Sequence, residues 1–397
     1  MTRAPLPRVF WWLWVGTLVN KLGAFVFPFL VLYLTTDRQL STAVAGGVLF
    51  CLGLGAVVSQ PLGGWLADRV GRVRTLSVSL VAAGISLAAL GTARELPALV
   101  AAALLTGLFA DMYRPASAAL VSDVVPESLR TYAFGLLFWA VNLGFALAAI
   151  LAGRLAPVGY GWLFAVDATS CIAYGVIVFA AIRRDPPRPP VRHDDRGYGR
   201  VLRDRLLLLV MALTVIHATA YIQTYIAMPL SATGDGLTTA DVGLILATNG
   251  LVIVVLQPLV SRGLASFDRG RVVATANVVM GLGFALTSLA STLSQYVATT
   301  IVWTLGEVMM AGFLAAIVAD LAPPEARGRY QGMLGVSFAL AGLAAPLVGT
   351  VVYDWVGPTA LWLGAGVASV FVAAGFLLLD PPLRSRAAAG TAGSVPV

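Results

Sequence analysis

Four ionisable side chains sit where lipid would surround them. Lys21, Asp111, Arg114 and Glu307 each fall near the middle of a long apolar run, and a charge at the bilayer centre costs at least about 2.5–3.5 kcal/mol on insertion scales. Groups kept at that cost ordinarily bind a substrate or carry a proton. Asp111 and Arg114 are three residues apart on one helix face and can neutralise each other. Glu307 has no basic residue within four positions, which makes it the better proton carrier. Burial favours its neutral form, so alternating solvent access would let it gain and lose a proton. Lys21 is a candidate counter-charge that would instead hold Glu307 ionised, and Asp111 is the next candidate carrier. His217, in another apolar run, is of a type that titrates near neutral pH. Phe25, Phe29, Tyr113, Trp139, Tyr221, Tyr225 and Trp303 can line a site for amphipathic ligands, although aromatics also serve plain packing. Asn20 and Asn142 join them as candidate substrate contacts.

Other chemistries lack their residues. Cys51 and Cys171 lie in apolar runs with no CxxC or Cys/His neighbour, so neither a disulfide framework nor a metal site is expected. No nucleotide loop and no nucleophile with an oriented base is visible. Neither an enzyme nor a bound cofactor is expected. The net charge of +7 invites a nucleic-acid reading, but the basic residues fall between apolar runs and not on one soluble face.

The elements that must hold these residues are membrane helices. Of the 397 residues, 59% are hydrophobic and 11% charged, and the mean hydropathy is +0.87. A spanning helix needs roughly 20 apolar residues, and twelve such runs can be read near 10–34, 44–66, 75–93, 97–122, 131–153, 160–181, 206–228, 240–261, 272–291, 296–320, 330–350 and 358–379. The first run is too long for a signal peptide and lacks a small-residue cleavage site. Most of the 26 basic residues fall in one alternating set of connections, which places both termini in the cytoplasm. The organisation expected is a six-helix half (1–182), a cytoplasmic Arg/Pro-rich linker (183–205), a second six-helix half (206–382) and a disordered tail (383–397). The linker has no apolar period.

A shift of 197 positions aligns the halves without a gap. Thr42, Ala43 and Gly46 meet Thr239, Ala240 and Gly243; Gln60, Pro61 and Leu62 meet Gln257, Pro258 and Leu259; Asp123, Pro126, Arg130 and Gly135 meet Asp320, Pro323, Arg327 and Gly332. Biased composition rarely puts Gln-Pro-Leu and Asp-x-x-Pro-x-x-x-Arg in register. An even number of spans per repeat gives a parallel repeat, whose substrate cavity is expected between the halves near the midplane. Asp123 and Asp320, at the cytoplasmic ends of spans four and ten, read as gate contacts together with Arg130 and Arg327.

Between spans two and three the chain reads GWLADRVGRVRTL at 64–76. Here it resembles the major facilitator superfamily, whose loop pattern is G-x-L-x-D-R-x-G-R with a further basic residue. Gly64, Leu66, Asp68, Arg69, Gly71 and Arg72 match, while Val73 departs and Arg74 follows one place later. The resemblance implies a conformational gate at Gly64, Asp68, Arg69, Gly71 and Arg72. Span five resembles the antiporter pattern G-x8-G-x3-G-P-x2-G-G at Gly135, Gly144 and Gly153, with Ala148, Ala149 and Ala152 in place of other members. Small residues also permit close helix approach with no exporter role. In this superfamily spans one, four, seven and ten line the cavity, and Lys21, Asp111, Arg114, His217 and Glu307 lie on those spans.

The resulting expectation is an all-α, twelve-span, multi-pass protein of the bacterial cytoplasmic membrane: a monomer that exports drugs or small amphipathic metabolites in exchange for protons by alternating access. Its partners would be a small-molecule substrate, protons and the lipid bilayer, with no nucleic acid. The alternative is a proton-coupled symporter that takes up a small polar solute such as a peptide or sugar. A membrane sensor or scaffold on the same fold is a third class, disfavoured by the lack of an appended soluble domain.

Overall fold

The computed structural model describes residues 6–182, 201–264, 267–322 and 327–392. The linker stretch 183–200 and the side chains of Asp68, Arg130 and Arg327 lie outside the described residues. What is described is helical, without a strand, and includes twelve helices long and apolar enough to cross a membrane. Spans one to six are Arg8–Asp37, Thr42–Ala67, Arg72–Thr92, Leu96–Val121, Ala133–Leu155 and Tyr160–Ala181. Spans seven to twelve are Arg205–Gly234, Thr239–Gln257, Arg269–Thr287, Leu293–Leu321, Tyr330–Trp355 and Pro358–Arg386. In hydrocarbon each backbone polar group must find a partner within the protein, which leaves helices as the economical element.

The chain divides into two compact units, Met1–Pro190 with Met228–Leu251 and Val191–Ala227 with Val252–Val397. Phe10, Leu13, Leu80, Leu120, Tyr174 and Val178 build the core of the first. Leu207, Val210, Val273, Ile317, Val318 and Phe376 build that of the second. The 197-residue repeat appears in the packing of each. Gly84 of span three is seated against Ile172 and the backbone of span six. Its counterpart Gly281 of span nine is seated against Ser369 and the backbone of span twelve. A side chain at either glycine would overlap its neighbour helix, so small residues here set the helix spacing.

Three spans are interrupted. Span one is a helix from Arg8 to Leu22, a break at Gly23–Phe25, and a second piece from Val26 that ends in a π-helical turn at Tyr33–Asp37. Span four breaks at Asp111–Met112. Span ten breaks at Ala311–Gly312, where Gly312 has φ +83°, a conformation that favours glycine. The breaks in spans four and ten lie beside Arg114 and a few residues from Glu307, so irregular backbone and charge coincide.

Among the element ends that differ from expectation, two run farthest past it. Span seven runs on to Gly234 past Pro229, with Thr233 Oγ1 donating to the Pro229 carbonyl at 2.8 Å in that last stretch. The last helix continues to Ala392 through residues expected to be disordered. Alanine-rich sequence favours helix there, and charge pairs hold it. Arg384 pairs with Asp268 and Asp380, and Arg386 grips Asp204 with two bonds of 2.9 and 2.6 Å. Asp204 also accepts from Tyr330 at 2.7 Å and from the first backbone N–H groups of span seven. Burial alone would raise its pKa, but the bonds from Arg386 and Tyr330 outweigh that and hold the carboxyl below its ordinary value.

Candidate functional site

In the second unit, span seven carries His217, Tyr221 and Tyr225 four residues apart, which puts them on one face. That face meets span ten. The Tyr221 hydroxyl donates to Glu307 Oε1 at 2.9 Å and lies 3.1 Å from the Tyr225 hydroxyl. Trp303, one turn before Glu307 and almost fully buried, stands edge-on to the Tyr221 ring at 6.2 Å. His217 stacks nearly parallel to Tyr221, with 6.4 Å between centroids. Its Nδ1 is 2.9 Å from Asn277 Oδ1 of span nine. Asn277 spends its amide N–H groups on the Val273 carbonyl and Met310 Sδ, so its oxygen accepts and His217 Nδ1 donates. His217 is thereby a fixed, buried hydrogen-bond partner.

This arrangement suits a carboxyl that changes charge. An ionised Glu307 accepts the Tyr221 proton; a protonated Glu307 has a donor of its own, and Tyr221 can turn to the Tyr225 oxygen. Both charge states keep their hydrogen bonds, which is what a proton carrier in low dielectric requires.

In the first unit the expected residues separate into buried and surface groups. Asn20 is buried and donates to Cys171 Sγ at 3.1 Å. Tyr113 is buried against Tyr174, ring to ring at 5.9 Å, and Phe25 and Phe29 are buried in the packing around span one. Trp139 is exposed, and Asn142 donates to the Phe138 carbonyl of its own helix. Asp111 and Arg114 form the ion pair foreseen from their spacing, 2.7 Å apart across the break in span four.

Asp167 of span six was not among the expected site residues. It is a buried carboxyl that accepts the backbone N–H of Val26 at 3.1 Å, just past the break in span one, and the Lys21 ammonium acts on it electrostatically. The rule that singled out Glu307, an ionisable residue inside an apolar run, also applies at 167. Asn277 left no comparable signal, because amides in spans are commonplace.

The loop between spans two and three places Arg72 at the start of span three, after Gly71 with φ +119°. That backbone conformation is accessible to glycine alone at modest cost, which accounts for the residue type. Arg72 pairs with Asp123 and donates to the Ala119 carbonyl at 3.0 Å. A shift of 197 gives the same triad in the second unit: Arg269 pairs with Asp320 and donates to the Ala316 carbonyl at 3.1 Å. Arg269, the counterpart of Arg72, was legible from the shift and went unused. Arg69 lies over the Trp65 ring at 4.5 Å, and a Cβ on Gly64 would make only an ordinary contact with Pro115, at 4.0 Å.

The glycines of span five differ among themselves. A Cβ on Gly144 would come within 2.6 Å of Lys21 Cβ, and one on Gly153 within 2.5 Å of the Thr239 carbonyl, whereas Gly135 has nothing within 4 Å. Gly144→Val should therefore lower the thermal unfolding temperature of the purified protein and displace Lys21, while Gly135→Val leaves both unchanged. Equal effects of the two would mean that the spacing carries no packing requirement.

The sequence profile of the Major Facilitator Superfamily matches residues 13–232 and again 213–397. A Na(+), Li(+), K(+)/H(+) antiporter of Planococcus maritimus is 25% identical over 89% of this chain and 91% of its own. The multidrug resistance protein MdtH of Aeromonas salmonicida (strain A449) is 25% identical over 91% and 92%. The crystal structure of the peptide transporter POT in complex with sulfate superposes with a TM-score of 0.79 at 16% identity, over 96% of both chains.

Proposed function

The chain belongs to the Major Facilitator Superfamily, and on that premise we propose that it is a proton-coupled exporter of drugs or small amphipathic metabolites that works by alternating access. The observation that carries the reading is the Glu307 carboxyl hydrogen-bonded by Tyr221, which itself meets Tyr225 and Trp303. It joins a titratable group to a cluster of aromatic side chains in one membrane unit, as exchange of a proton for an amphipathic ligand requires. The relatives named for cation/proton antiport and for multidrug resistance support the same reading. The protein works as a monomer in a bacterial cytoplasmic membrane, with both termini in the cytoplasm, as the distribution of Lys and Arg favours.

Inverted and right-side-out vesicles with an imposed pH gradient, loaded in turn with a panel of lipophilic cations and neutral metabolites, test it. Export predicts that an acid-inside gradient drives accumulation in inverted vesicles. Gradient-driven uptake confined to right-side-out vesicles would replace export by symport.

A further inference from the structure

The first unit holds a buried polar face that the Glu307 reading does not use. In span six Asp167, Ser170, Cys171 and Tyr174 follow the i, i+3, i+4, i+7 spacing of one helix face. Across from them span one presents Thr17 and Asn20: Thr17 Oγ1 is 3.2 Å from the Tyr174 hydroxyl, and Asn20 donates to Cys171 Sγ. At the head of this face, Asp167 accepts Val26 N–H at 3.1 Å, and Cys171 Sγ–H reaches Asp167 Oδ1 at 3.8 Å. Val26 opens the second piece of span one, so its N–H has no carbonyl of an unbroken helix to bond. A carboxylate from span six thus caps a helix end inside the membrane.

We propose that Asp167 is a second proton-binding group, independent of Glu307, whose charge state is coupled to Lys21 and to the break in span one. The proton adds to one carboxylate oxygen and no other bond breaks. The neutral acid still accepts from Val26 through its carbonyl oxygen, but the new helix end loses its anion and the negative charge that acts on Lys21 is gone. The start of the second piece of span one, just past the Gly23–Phe25 break, is then held less firmly. The charged and titratable groups around Asp167 are few. The Lys21 ammonium of span one acts on it electrostatically, and Cys171 donates to it from its own helix. Span three, seated at Ala168 and Ile172 through Gly84, has no ionisable residue from Val78 to Thr92. Span five, which meets Lys21 at Gly144, has none between there and Arg154. Tyr174 and Tyr113 lie farther along the same interface.

Infrared pH-difference spectra of the purified full-length protein in lipid nanodiscs test this without any substrate. Wild type should show a buried carboxylic acid C=O stretch that titrates; Asp167→Asn should lose a component that Glu307→Gln retains. Asp167→Glu, which keeps the acid, should move that component in frequency, and Lys21→Gln should displace its titration midpoint. Cys171 supplies a local reporter, because in a Cys51→Ala protein it is the sole thiol. Its S–H stretch should shift in step with the Asp167 component. A difference spectrum unchanged by both Asp167→Asn and Asp167→Glu, or an S–H stretch indifferent to pH, overturns the proposal. Neither result touches Glu307, whose own component is read in the same spectra.

Discussion

Glu307→Gln protein in inverted vesicles should lose accumulation of substrate against its gradient, down to the level that diffusion alone sets, while still exchanging substrate across the membrane. Glutamine is the nearest copy of the protonated acid, and its carbonyl oxygen can still accept from Tyr221, which now bonds Glu307 Oε1. Binding surface and fold should survive; the change of charge cannot. One positive charge moved across the membrane is worth about 2.3 kcal/mol per 100 mV, and that energy reaches the substrate only through a group that alternates between charge states. Tyr221→Phe removes the hydroxyl and keeps the ring, so it should move the pH dependence of transport while leaving uphill transport possible. Asp111→Asn should have the smaller effect, because Asp111 is already neutralised by Arg114 at 2.7 Å. If Glu307→Gln accumulates substrate as wild type does, another carboxyl carries the proton.

How far the site could be read from the sequence depended on the physical rule in use. The cost of charge in lipid pointed to Glu307, and helical spacing put Asp111 beside Arg114. The same cost applied to Asp167, yet a carboxyl in span six, off the spans that the family resemblance assigns to the cavity, was passed over. The resemblance narrowed attention before the residue chemistry was exhausted. His217 shows the opposite limit. Its composition suggests a titrating switch, but the acceptor that fixes its proton, Asn277, lies 60 positions away. No local pattern carries that pairing.

The fold was legible because its signals are long. Twelve apolar runs and a repeat at one fixed offset survive errors at any single position, and the repeat extends to the contacts of Gly84 and Gly281 and of Arg72 and Arg269. The breaks in spans one, four and ten were not legible. Hydropathy is averaged over a window, and each break occupies two or three residues that stay apolar, small or already paired. The helix at Arg384–Ala392 was missed for a related reason: its composition resembles a flexible tail, and the carboxylates that hold its arginines, Asp204 and Asp268, come from other elements.

Asp123→Asn should destabilise the protein far more than Asp320→Asn, although the two aspartates occupy equivalent places in the repeat. Side-chain exposure decides between them: Arg72 and Asp123 are 14% and 10% exposed, against 44% and 35% for Arg269 and Asp320. Removing one partner of a buried pair leaves an uncompensated charge and costs about 3–5 kcal/mol. An exposed pair contributes at most about 1 kcal/mol. Thermal unfolding of the purified variants in one detergent reads the difference, and Arg72→Gln should resemble Asp123→Asn. The double variant Arg72→Gln with Asp123→Asn should recover much of the lost stability, because it buries no unpaired charge. It should nevertheless transport slowly, since an ion pair that forms in one state of a two-state cycle and opens in the other helps set the balance between them. If the Asp123 and Asp320 variants unfold at the same temperature, burial does not distinguish the two pairs. If the double variant is less stable than either Arg72→Gln or Asp123→Asn, the unpaired charge was not the source of the loss, and Arg72 and Asp123 stabilise through partners other than each other.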